Sequence, residues 1–96
     1  FSPREVDEVL YRIPEVELAA AVGVPDEIYG EETAAFIKLR NGMALSEQEV
    51  LAFCREHLAY YKVPKYVRFV EGLPQGGNGK IQRLKLLDWF KVKQTD

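Results

Sequence analysis

The stretch of this sequence best suited to chemistry is Leu73-Pro74-Gln75-Gly76-Gly77-Asn78-Gly79-Lys80-Ile81-Gln82-Arg83. Gly76, Gly77 and Gly79 admit backbone angles and close approaches that other residues resist, so the loop is expected to be loose. At its end, the Lys80 ammonium is a compact cation that can donate to several phosphate or carboxylate oxygens. A helix after the loop would also direct free N–H groups toward it. Such an arrangement suits a polyphosphate substrate. It is not a Walker-type phosphate loop, because Ile81 stands where G-x-x-x-x-G-K-[ST] requires Ser or Thr. On residue types alone, a plain surface turn ending in lysine remains the competing reading.

The elements that must position Lys80 can be read from periodicity. Ser2-Pro3-Arg4-Glu5 has the layout of a capping box, and Val6, Val9, Leu10 and Ile13 recur at helical spacing until Pro14 stops the helix. Residues 16–25 are short and apolar, as expected of a strand covered on both faces. A loop begins at Pro25-Asp26-Glu27, and Thr33 to Leu39 forms a second strand before Arg40-Asn41-Gly42 turns the chain. Ser46-Glu47-Gln48-Glu49 repeats the capping box, and Val50, Leu51, Phe53, Cys54 and Leu58 mark the inner face of a second helix. After a linker at Tyr60-Tyr61-Lys62-Val63-Pro64, Tyr66 to Val70 alternates as a strand. Residues 81–92 then form a helix with Ile81, Leu84, Leu87, Trp89 and Phe90 inward. The order αββαβα predicts an α+β or small α/β domain, about three strands flanked by helices.

Composition narrows the function classes. Ninety-six residues, 47% hydrophobic and 29% charged, fit one soluble globular domain rather than a disordered or fibrous chain. The longest nearly apolar stretch, Leu18 to Pro25, is far short of the roughly 20 residues that cross a bilayer. No basic-then-apolar leader is visible, and a cytoplasmic location is the expectation. Cys54 stands alone in the second helix, where a buried structural thiol is expected rather than a nucleophile. A net charge of −2 argues against nucleic acid as a partner, yet residues 1–61 hold 12 acidic and 5 basic side chains while residues 62–96 hold 3 and 8. The second part can face an anion, although solvated helix faces would carry the same charges. No acidic cluster identifies a metal site.

Three ordered blocks together resemble the adenylate-forming family of acyl-CoA synthetases, adenylation domains and luciferases. They are Gly23-Val24-Pro25-Asp26-Glu27-Ile28-Tyr29-Gly30-Glu31, Leu58-Ala59-Tyr60-Tyr61-Lys62-Val63-Pro64-Lys65, and the stretch from Leu73 to Arg83. Their order and spacing match the family's C-terminal domain over nearly the whole chain. The resemblance implies an acid–CoA ligase domain in which Lys80 contacts the substrate carboxylate and the nucleotide during adenylation. Two anions must meet in that step, and a cation between them helps both. ATP and CoA are implied as substrates, with Mg2+ expected on the phosphates. Family members then rotate this domain so that a thiol can attack the acyl-adenylate. Tyr29, Gly30, Tyr61 and Lys62 are implied to border the thiol's path, Tyr29 stacking on the CoA adenine and Lys62 pairing with a phosphate. Some relatives carry a basic residue where Val63 stands, so that contact is not expected here.

The resemblance further implies that residues 1–96 are a fragment, with the large N-terminal domain as partner and the hinge motif ahead of Phe1. Such a fragment is not expected to catalyse the full reaction alone. Two other readings stand beside the CoA ligase. The C-terminal part of a peptide-synthetase adenylation domain would load a carrier protein instead. An RNA-binding KH module is the remote one, since Gly76-Gly77-Asn78-Gly79 satisfies its GXXG loop, although that loop joins two helices.

Overall fold

The computed structural model describes residues 2–94. Its spine is a three-stranded sheet ordered β1-β2-β3, formed by Val16–Asp26, Gly30–Leu39 and Tyr66–Phe69. β2 pairs antiparallel with β1 and parallel with β3. The β1–β2 connection is a tight turn in which Gly30 takes φ 82°, a left-handed angle that a side chain would strain. The parallel β2–β3 pair needs a longer crossover, and α2 (Glu47–His57) supplies it. Ala19, Ala20, Ala21 and Ala34, Ala35, Phe36, Ile37 are all buried, the continuous apolar run expected where both faces of a sheet are covered.

The two faces gather separate cores. One holds Ala19, Ala21, Ala35, Ile37 and Val67 beneath α1 (Pro3–Leu10) and α2, which contribute Val6, Val9, Leu10, Val50 and Cys54. The other holds Ala20, Val22, Val24, Ala34 and Phe36 beneath α3 (Arg83–Gln94), which contributes Leu86 and Phe90. Val16 packs on the first face and Leu18 on the second, although a regular strand would put both on one side. A register shift between them accounts for the switch. Phe90 anchors α3 against the Tyr66 ring, edge-on at 4.9 Å between centroids. Truncating so buried an aromatic costs about 3–5 kcal/mol.

The order αββαβα and the expected strands are present, with a 3-10 turn added at Tyr60–Lys62. Three local expectations require correction. Ser2 caps α1 without a side-chain hydrogen bond, and the Glu5 carboxylate, which the reciprocal half of a capping box would use, is bonded to Lys62 instead. The helix stops at Leu10, before Pro14 is reached, and backbone bonds from the Arg12 N–H to the Val9 carbonyl and from the Ile13 N–H to the Leu10 carbonyl turn the chain toward β1, which starts at Val16. On α3, Leu84 is 81% exposed while Leu86, absent from the expected face, is fully buried. Ile81, from which a helix over 81–92 would take its phase, belongs to the preceding loop, and α3 starts at Arg83. The inward row of the helix is Leu86 and Phe90, four residues apart, with Leu87 packed beside it.

Candidate functional site

The glycine-rich stretch is a closed hairpin rather than the loose loop expected. Gln75 and Ile81 form an antiparallel bridge, the Gln82 N–H donates to the Pro74 carbonyl, and the Gly76 N–H donates to the Lys80 carbonyl at 2.8 Å. At the tip, the Gly79 N–H donates to Gly76, and the Asn78 Oδ1 accepts from the Lys80 N–H at 3.0 Å. Only Gly79 takes a left-handed angle, φ 80°, so only there does the turn require glycine. The Lys80 backbone is thus bonded on both sides. Its side chain is exposed, and no carboxylate among the described residues lies within ion-pair distance.

Tyr29, Tyr61 and Lys62 do come together, around a groove of about 900 Å3 that Glu31, Glu32 and Tyr60 also line. Gly30 follows Tyr29 as the first residue of β2, next to the groove-lining Glu31. Tyr29 is 72% exposed and Tyr60 90%, neither buried as a core tyrosine would be. Lys62 does not point freely into solvent. It donates to both Glu5 oxygens, at 2.6 and 2.9 Å, and that hydrogen bond raises its pKa above the ordinary lysine value. A phosphate at Lys62 would compete with Glu5.

Residues that sequence reasoning left aside hold both features in place. The Asp26 carboxylate accepts from the backbone N–H groups of Ile28 and Tyr29, at 3.1 and 2.9 Å, and from Lys65 at 3.0 Å. The Tyr29 hydrogen bond, then the Lys65 one, lowers its pKa from the ordinary carboxylate value. An Asp three residues before an exposed loop aromatic is a legible turn signal. The Asp7–Arg83 ion pair is not, for its members are 76 positions apart. Arg83 opens α3 and also donates to the Ala21 carbonyl at 2.6 Å, while the Ala21 N–H donates to Asp7 at 2.7 Å.

The hairpin lies between β3 and α3, not between two helices as a GXXG RNA-binding loop would. Among the described residues no three His, Cys, Asp or Glu converge as a metal site, and no helix is long and apolar enough to cross a membrane. The described residues therefore offer Mg2+ no cage.

Residues 5–80 match the model of the AMP-binding enzyme C-terminal domain. Over 87 residues the chain is 48% identical to a sulfoacetate–CoA ligase of Cupriavidus necator, covering 91% of this chain and 17% of that protein. Over 92 residues it is 48% identical to an oxalate–CoA ligase of Arabidopsis thaliana, covering 96% and 18%. Among solved structures, a Mycobacterium tuberculosis fatty acyl CoA synthetase superposes with a TM-score of 0.88 at 35% identity, over 95% of this chain and 18% of that one. The chain thus spans under a fifth of the length of each of these proteins.

Proposed function

The chain belongs to the family of AMP-binding enzyme C-terminal domains, and from that premise we propose that it serves an ATP-dependent acid–CoA ligase as the mobile domain that assists first adenylation and then thioester formation. Lys80 is the adenylation residue. Its ammonium lies between the substrate carboxylate and the α-phosphate of ATP, offsetting charge as the carboxylate oxygen attacks phosphorus and pyrophosphate departs. The observation that carries this reading is an exposed lysine with no carboxylate partner among the described residues, on a hairpin closed by its own hydrogen bonds.

After the acyl-adenylate forms, the domain rotates, Lys80 withdraws, and the Tyr29–Tyr61–Lys62 groove borders the path by which the CoA thiol reaches the acyl carbon. Exposed tyrosines suit stacking on an adenine, and Lys62, released in part from Glu5, suits a phosphate. The large catalytic domain of the ligase, ATP, a carboxylic acid and CoA are the partners in this scheme.

The test is Lys80→Ala in the full-length ligase. Pyrophosphate release is expected to slow about 100- to 1,000-fold, the usual effect of removing one group that stabilises transition-state charge. Thioester formation from supplied acyl-adenylate should stay within about twofold. Equal loss in both half-reactions would count against the assignment. Offering free CoA and a pantetheine-bearing carrier protein to the same enzyme separates the CoA ligase from the peptide-synthetase alternative.

A further inference from the structure

β1 is an edge strand, so the outward N–H and C=O of each alternate residue need partners or water. At Ala21 both are taken by side chains from opposite sides of the sheet. Asp7, on α1, accepts from the N–H at 2.7 Å, and Arg83, the first residue of α3, donates to the carbonyl at 2.6 Å. The guanidinium also pairs with the Asp7 carboxylate, whose side chain is only 13% exposed. Carboxylate, guanidinium and strand edge thus form one closed unit of charge-assisted bonds, a geometry that Arg satisfies and Lys does so only in part.

Only Ile81 and Gln82 separate Arg83 from Lys80. Both are held: Ile81 bridges Gln75, and the Gln82 N–H bonds the Pro74 carbonyl. A shift of Arg83 is therefore passed through a bonded stem to the Lys80 hairpin. Besides this clamp, among the described residues the hairpin is tied to the body by apolar packing of Leu73 and Ile81. Resting on the adenylation role of Lys80, we infer that Arg83, clamped to Asp7 and the Ala21 carbonyl, is the positioning residue that sets where the Lys80 hairpin stands on the sheet. Arg83 touches no substrate in this scheme. It acts through Lys80.

Two measurements test it. In the 96-residue chain, Arg83→Gln and Asp7→Asn should speed amide hydrogen exchange at Gly76, Gly79 and Gln82 about tenfold, while exchange in β2 stays within twofold. Asn keeps an acceptor for the Ala21 N–H, so that variant loses the ion pair and retains the strand-edge bond. Unchanged exchange in the hairpin, or an equal rise in β2, overturns the clamp. In the full-length ligase, Arg83→Gln should lower kcat of the adenylation half-reaction about 10- to 100-fold, the effect of misplacing a reacting group by around 1 Å. KM for ATP and thioester formation from supplied acyl-adenylate should stay within twofold, Arg83→Lys should recover part of the loss, and Lys80→Ala/Arg83→Gln should be no slower than Lys80→Ala. Unaltered adenylation in Arg83→Gln overturns the positioning role. A Lys80→Ala enzyme that adenylates normally instead brings down the role of Lys80, and hairpin exchange alone then decides whether the clamp exists.

Discussion

Three lysines of the second part of the chain differ in what they face. Lys62 is held by Glu5 and Lys65 by Asp26, while Lys80 has no carboxylate within reach among the described residues. The spacing of the glycines made Lys80 legible in the sequence. Nothing made the pairs legible, since their members are 57 and 39 positions apart. Asp26 is the residue whose titration should be visible. Its folded-state pKa lies below the ordinary 3.8, so its ionised form contributes stability that is complete above pH 3.8 and is lost as pH falls through the lowered folded value. Asp26→Asn is therefore expected to be less stable than the wild type at pH 7, with the gap shrinking below about pH 4. Urea unfolding at pH 7 and pH 3 measures both, and a gap that does not narrow would refute the account. Cys54 behaves oppositely: burial pushes its thiol from 9.0 up to about 11. At neutral pH its thiolate is scarcer by about 100-fold than in an unperturbed cysteine, so labelling by a soluble disulfide reagent should be at least ~100-fold slower in the native protein than in urea.

At the scale of the element, two capping boxes with the same spelling have different fates. Ser46 accepts from the Glu49 N–H at 3.1 Å, and Glu49 returns a bond to the Ser46 N–H at 2.9 Å. The second of these, the Ser46 N–H donating to the Glu49 carboxylate, is the foremost cause that lowers the Glu49 pKa. At Ser2 the hydroxyl makes no cap bond, and the reciprocal half of the motif is lost to a competitor no local pattern contains, the Lys62 ammonium, which holds the Glu5 carboxylate. Ser46→Ala should cost about 1 kcal/mol and Ser2→Ala less than about 0.5, as chemical denaturation of the two variants will show. Legibility ends for the same reason in α3. Leu84 and Leu86 are equally apolar, and only knowing that Ile81 belongs to the hairpin stem sets the helix phase that buries one and exposes the other. Strands fared better, because a run such as Ala19 to Val22 has no solvent face to misassign.

For the molecule as a whole, the charge split along the sequence is partly neutralised by folding. Lys62, Lys65 and Arg83 from the basic part meet Glu5, Asp26 and Asp7 from the acidic part. What survives is a separation of the two proposed sites in space. The groove of Tyr29, Tyr61 and Lys62 borders Val6 and Val63, on the side of the sheet covered by α1 and α2. The stem of the Lys80 hairpin packs through Leu73 and Ile81 on the side covered by α3. A rigid body that presents one of these features to a reacting centre must turn to present the other. Amide hydrogen exchange in the full-length ligase should therefore show two exclusive footprints. With ATP and an unreactive carboxylate analogue, residues 76–82 should gain protection while 28–33 and 60–63 stay open. With a stable acyl-adenylate analogue and CoA, protection should move to 28–33 and 60–63 and leave the hairpin. Protection of both regions in the same state would mean that the domain does not turn between the half-reactions.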